Sequence, residues 1–285
     1  RQAGAAVQLR EFPAEDEAFS PLLRALFGRG AACPALPGVC LPCAPDIETE
    51  GCLPADESSH CARVLRRREG DEVEVVDGKG FAYTCRIADA NPRRVALEVV
   101  GKRSELPHWG RKITLAVAPT KNADRMEWLA EKVVEMGIDR LVLLRTEHSE
   151  RKVLKTDRLR RVMVSAMKQS LKATLPELSE LTDVRDFLAF PDSSALKLIA
   201  HCEADKPRVP IASRVPAPGQ DVVVLIGPEG DFSPEEIAAA LEAGFVPVTM
   251  GRSRLRTETA AIFAIAALHT LIDNNVQCTM YNVHQ

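Results

Sequence analysis

No apolar run in the 285-residue sequence is long enough to cross a bilayer; the longest, Ala260–Leu268, reads as a buried helix, and no membrane partner is expected. There is no Gly-x-Gly-x-x-Gly and no glycine loop ending in Lys-Ser or Lys-Thr, so neither a dinucleotide nor a nucleoside triphosphate is indicated. Internal repeats and low-complexity tracts are missing as well. Strong charge of one sign is also absent: the net charge of −3 argues against indiscriminate binding to nucleic acid. Eight cysteines occur, at 33, 40, 43, 52, 61, 85, 202 and 278, but they lack the regular paired spacing of a zinc site. Cys40 and Cys43 form a lone Cys-x-x-Cys in Pro/Gly-rich surroundings; no metal is expected, and free thiols in a reducing compartment are. The N-terminal stretch has no signal-peptide apolar segment and does not begin with Met. Residues 1–50 are rich in Ala, Pro and Cys, show no sustained period, and read as a leader, linker or remnant. A cytoplasmic location is expected, or a plastid or mitochondrion if this stretch follows a removed transit peptide. Its acids (Glu11, Glu15, Asp16, Glu17) are more than such peptides usually carry.

What is present is an ordinary globular composition, 46% hydrophobic and 27% charged, in a length that suits two modest domains. Residues 51–104 read as a compact β unit, with strands at 72–76, 81–87 and 94–100 and a turn at Asp77-Gly78-Lys79-Gly80. Gly101–Gly110 is polar and punctuated, a natural linker. From 108 to 285 strands and helices alternate, the mark of an α/β domain. Strands are expected at 112–118, 141–144, 196–201, 221–226 and 245–250. Helices are expected at 124–136, at 157–172 behind a Thr156 cap, and at 258–272. Between His60 and Lys112 twelve Lys or Arg stand against eight Asp or Glu, leaving the rest of the chain at −7. A basic module on an acidic body fits selective contact with RNA; the plain alternative is a solvated charged face.

Two glycine-anchored loops carry the chemistry. Leu225-Ile226-Gly227-Pro228-Glu229-Gly230-Asp231-Phe232 runs into Ser233-Pro234-Glu235-Glu236, a capping box that fixes a helix start. Gly251-Arg252-Ser253-Arg254-Leu255-Arg256-Thr257-Glu258 follows the next strand and leads into the last helix. Two strand–loop–helix units in succession bring both loops to one sheet edge, where open α/β folds bind ligands. Glycine there permits close approach of backbone to ligand and positive φ. A tight turn before a capped helix would explain Gly230 and Ser233 alone, but not the second loop.

These motifs resemble the signature pair of the RsmE-type family, the 16S ribosomal RNA uracil-N3 methyltransferases of the SPOUT class. Lys121–Gly137, Thr146–Glu150 and Ala166–Pro176 fall in the family's order, and His60–Arg66 followed by Asp77-Gly-Lys-Gly resembles its small RNA-binding domain. The likeness runs from about Leu53 to about Leu271; the family's opening strand is not visible in the first fifty residues. The resemblance implies a PUA-like β barrel followed by an α/β domain whose C-terminal segment threads a trefoil knot, and a homodimer. It implies S-adenosylmethionine as cofactor and small-subunit ribosomal RNA, free or in the assembled subunit, as partner. The cofactor would be held by His201, Leu225, Ile226, Gly227, Pro228, Glu229, Gly230, Met250, Gly251, Leu255 and Arg256. RNA would meet His60, Arg63, Arg66, Arg252 and Arg254.

A uridine N3 is a weak imide acid, and its negative charge on deprotonation spreads to the flanking carbonyl oxygens. Arg256, with a planar guanidinium, is the candidate stabiliser. The base is Glu258, Glu229 or solvent; a local role for both carboxylates, bonding loop N–H groups or a helix terminus, weighs equally. Two rivals stand beside this reading. One is a related SPOUT enzyme acting on a ribose 2′-hydroxyl. The other is a non-catalytic ribosome-assembly factor with the same fold.

Overall fold

A computed structural model describes residues 41–105, 109–151, 154–189, 194–203 and 206–281, with side chains up to 272 in the last stretch. Residues 1–40 of the expected leader lie outside it. Residues 41–50, the end of that leader in the sequence reading, are instead built into the protein. Leu41 and Cys43 are buried, Ala44 donates its N–H to the Val76 carbonyl at 2.9 Å, and Ile47 opens the short helix α1 (Ile47–Glu50). A second helix, α2 (Ala55–Ser59), runs directly into a π-helical turn, His60–Val64.

The β unit is an antiparallel sheet of β1 (Glu72–Val76), β2 (Phe81–Asp89) and β3 (Ala96–Ser104) in sequence order. Its turn forms because Asp77 accepts hydrogen bonds from the Lys79 and Phe81 amides, at 2.7 and 3.0 Å, with Gly78 and Gly80 at positive φ. Val73, Val75, Tyr83, Cys85, Ile87 and Leu97 alternate inward to make its own core. Glu57 and the largely buried Lys168 form an ion pair, with Glu57 Oε2 left without a partner among the described residues. Lys168→Ala is expected to strand that carboxylate and to cost about 3–5 kcal/mol, read as an earlier midpoint in urea unfolding.

The second sheet is entirely parallel. Its strands are β4 (Ile113–Val117), β5 (Arg140–Arg145), β6 (Glu177–Asp183), β7 (Leu196–Ala200), β8 (Val209–Pro210), β9 (Val222–Ile226) and β10 (Val246–Thr249). They lie in the order β6-β5-β4-β9-β7-β10-β8. A parallel sheet must be covered on both faces, and the central strands are accordingly mostly apolar, β9 entirely so. On one face Leu115, Leu143, Leu198 and Val224 meet α3 (Ala123–Glu135), α4 (Thr156–Gln169) and α7 (Thr257–Tyr281). On the other, Ala116, Val142, Ile199 and Leu225 meet α5 (Val184–Leu188) and α6 (Pro234–Glu242).

The helix starts depend on local chemistry. Asn122 caps α3 by accepting the Asp124 amide at 2.8 Å. The expected Thr156 cap is a correction: Thr156 is the first residue of α4, makes no cap bond, and donates its hydroxyl to Glu180 Oε1 at 2.8 Å. That helix stops at Gln169, and Leu171 takes a positive φ of 56°. At α6 the expected capping box is present, Ser233 accepting from the Glu236 amide and Glu236 from the Ser233 amide.

Candidate active site

At the carboxyl edge of the parallel sheet, β9 sits between β4 and β7, and the loops after β7, β9 and β10 converge. They enclose a cavity of about 500 Å³. Its apolar wall comes from Ile226, Val248, Leu255 and Ala260, and its polar wall from the two glycine loops.

The first loop is narrow because its neighbours leave no room. A Cβ on Gly227 would come within 3.0 Å of the Phe232 ring, and one on Gly230 within 3.0 Å of His148 Cβ. Close packing, not φ, demands glycine here. The positive-φ residue of this loop is Asp231, at 65°. In the second loop the reason is reversed: Gly251 has φ +111° and nothing within 4 Å of its would-be Cβ. Thr257, buried at the start of α7, donates its hydroxyl to the Gly227 carbonyl at 3.1 Å and so locks the two loops together.

Surrounding loops brace the first one. Glu236 of the capping box also accepts the Glu147 amide at 2.7 Å, tying residues 146–150 to α6. His148 Nδ1 lies 3.1 Å from both the Gly230 and Asp231 carbonyls. Glu229 accepts the Lys121 amide at 3.3 Å. That is the local role weighed for it beside a basic one.

His201, Ile226, Gly227, Pro228, Glu229, Gly230, Met250, Gly251, Leu255 and Arg256 all line the cavity. Leu225 does not; its side chain is fully buried on the opposite face of the sheet, against α6. Alternation along β9 puts Ile226 and Leu225 on different sides. Arg254, expected at RNA, stands in the cavity wall beside Arg256, whereas Arg252 is exposed outside it. Among the described residues neither Arg254 nor Arg256 makes an ion pair, so both guanidiniums are free to meet a ligand. Glu258 is 6% exposed and faces Arg125 of α3 across 3.6 Å, again a local partner for a proposed base.

His60, Arg63 and Arg66 are not at this cavity. His60 and Arg63 lie on the π-helical turn and Arg66 follows it at φ +54°. Several bases of that module are neutralised by its own acids, including Arg86 by Glu72, Lys102 by Glu48 and Arg103 by Glu74. Arg63, Arg66, Arg67 and Arg68 are exposed and carry no ion pair among the described residues. Together they form a run of exposed arginines on and just after this turn.

A family model for the RNA methyltransferase domain matches residues 107–269, more than half of the chain, and one for the RNA methyltransferase PUA domain matches 53–100. The chain belongs to the RNA methyltransferase family. Within that family it is 30% identical over 235 residues to ribosomal RNA small subunit methyltransferase E of Synechocystis, an alignment covering 80% of this chain and 75% of that protein. Among solved structures, a protein of Porphyromonas gingivalis described as a probable rRNA-methyltransferase is 45% identical with a TM-score of 0.79, covering 83% of this chain and 99% of that one. The ribosomal RNA small subunit methyltransferase E of Neisseria gonorrhoeae, solved bound to S-adenosyl methionine, is 30% identical with a TM-score of 0.68, covering 81% and 98%.

Four residues that shape this cavity and its loops escaped the sequence reading: Arg125, Arg208, Asp231 and Thr257. Arg208 donates to the His201 carbonyl and Asp231 accepts the Cys202 amide, each at 2.6 Å. Only Asp231 and Thr257 lie in a recognisable motif, and nothing local marks their partners.

Proposed function

We propose that this enzyme methylates the N3 of a uridine in small-subunit, 16S-type ribosomal RNA, using S-adenosylmethionine. The observation that carries this reading is the pair of unpaired guanidiniums, Arg254 and Arg256, in one wall with two main-chain-rich loops. The cavity suits the cofactor on its own terms. It is large enough for an adenosyl group, more apolar than polar, walled by the two glycine loops, and it contains a buried imidazole with no partner among the described residues.

S-adenosylmethionine supplies the methyl group from a sulfonium, a good leaving group, so the protein's task is alignment and electrostatics. The uridine N3–H loses its proton, N3 takes the methyl group, and S-adenosylhomocysteine leaves. Arg256 meets the charge that develops on the uracil carbonyls, with Arg254 beside it. Glu258 is held by Arg125 and Glu229 by the Lys121 amide, which favours solvent as the proton's destination.

The division of labour follows the charge. Residues 51–104 would dock RNA through His60, Arg63 and Arg66, while 108–285 would carry the cofactor. Arg63→Ala with Arg66→Ala is expected to weaken RNA binding and flatten its salt dependence while sparing cofactor affinity. An unchanged salt slope would make this turn a solvated surface. The trefoil knot and the homodimer belong to the same reading. Support for the dimer is the apolar run Ala260–Leu268 of α7, with Phe263 44% exposed. The setting would be the cytoplasm, or a plastid or mitochondrion.

Mass spectrometry of small-subunit ribosomal RNA nucleosides, with and without the gene, tests the reading. Loss of 3-methyluridine supports it. Loss of a 2′-O-methyl nucleoside instead would favour the ribose enzyme, and no change together with no cofactor binding would favour an assembly factor.

A further inference from the structure

One group in the cavity wall is left unsatisfied by the described residues. His201, directly after β7, is 4% exposed, and neither of its ring nitrogens has a hydrogen-bond partner among the described residues. Buried polar atoms in folded proteins nearly always have partners, so an orphaned imidazole in a cavity wall points to a ligand. Its placement is firmly made. The carbonyl of His201 accepts from Arg208 Nη1 and the next amide, of Cys202, donates to Asp231 Oδ2, both at 2.6 Å. These bonds hold the backbone and leave the ring free.

Of the charges around it, two carboxylates raise its pKa and two cations lower it. Asp231 comes from the loop after β9, Arg208 from the segment before β8, and Glu203 and Lys206 from its own connection. Glu229, Arg254 and Arg256 stand elsewhere in the wall. Burial is then the dominant influence and pushes the imidazole below its ordinary pKa of 6.5. A neutral ring offers one donor and one acceptor, whereas the imidazolium offers two donors and no acceptor. The neighbouring wall is apolar (Ala200, Ile226, Val248, Ala260). That matches the uncharged hydroxyls and ring nitrogens of adenosine better than the charged amino-acid end.

We propose that His201 hydrogen-bonds the adenosyl half of the cofactor as a neutral imidazole, one nitrogen donating and the other accepting, so that protonating the ring expels the cofactor. The proposal rests on the S-adenosylmethionine reading above and adds a pH gate to that site. Affinity is expected to be flat above about pH 6.5 and to fall by up to about tenfold per pH unit below the pKa of the empty site.

Calorimetry on the full chain between pH 5 and 8 tests it, with 5′-methylthioadenosine as the probe beside S-adenosylmethionine. The first lacks the amino-acid end, so a slope shared by both ligands comes from the adenosyl pocket. His201→Gln keeps a donor and an acceptor without the charge and should flatten the profile while binding both probes near neutral pH. His201→Phe should lose tenfold or more near neutral pH and show no such slope below it. A flat profile for the unmodified protein, or an undiminished slope in His201→Gln, overturns the pH gate and leaves the cofactor assignment standing. No binding of either probe at any pH overturns that assignment and this proposal with it.

Discussion

Arg256→Lys is expected to slow methyl transfer by about tenfold to a thousandfold, the scale of removing one preorganised donor. Lysine keeps the positive charge but replaces a planar fork by a point donor, and the two uracil carbonyls that flank N3 call for a fork. The structure makes the substitution readable, because Arg256 lines the cavity and has no ion pair among the described residues that the change would also break. Its carbonyl accepts the Ala260 amide at 2.7 Å, a bond that lysine retains, so the start of α7 should be undisturbed. Cofactor affinity should change little. Single-turnover kinetics at saturating RNA separates the outcomes. A variant that transfers methyl at the original rate but needs more RNA would make Arg256 a phosphate anchor, with Arg254 the next stabiliser to examine.

Gly227→Val should abolish measurable S-adenosylmethionine binding, and the geometry explains why. The new Cβ would stand 3.0 Å from the Phe232 ring and 3.3 Å from the Phe232 amide nitrogen. Phe232 is 4% exposed and packed against the α6 face, so it has nowhere to turn. The loop must move instead, and the Gly227 carbonyl that receives the Thr257 hydroxyl moves with it, pulling the two glycine loops apart. Gly251→Val is the instructive comparison. It meets no atom within 4 Å, so its penalty comes from φ +111° and not from crowding. Calorimetry on folded proteins, checked by circular dichroism, decides the matter. Unchanged affinity in folded Gly227→Val would move the cofactor site elsewhere.

Most of the architecture was legible because it rests on short-range rules. Apolar runs of four to six residues followed by Gly or polar turns mark β4, β5, β7 and β9 to within a residue or two of their observed limits. The Ser233 box fixes the start of α6, and the i, i+3, i+4 spacing from Met126 to Val134 fixes the buried face of α3. The two loops were legible because glycine is the cheapest answer to a crowded or positive-φ backbone. Less visible were β6 and β8, which lie at the sheet edges, where polar residues are tolerated on the open side. The segment 41–50 was also missed. Its Pro and Cys residues follow no period, and it is ordered by contacts with Val76 and the sheet core.

The sequence by itself therefore determined most of the central strands and long helices, which loops carry glycine, and which residue types are available for chemistry. Only the tertiary structure decided how those groups are used. It moved Leu225 to the far face of the sheet, brought Arg254 into the cavity and left Arg252 outside. It gave Glu258 to Arg125, 133 positions away in the chain, and Glu229 to the Lys121 amide. It left the His201 ring buried in a cavity wall with no hydrogen-bond partner among the described residues. The physical reason is range: propensity, capping and periodicity act over a few residues, whereas charge pairing and burial depend on which distant segments a parallel sheet lays side by side.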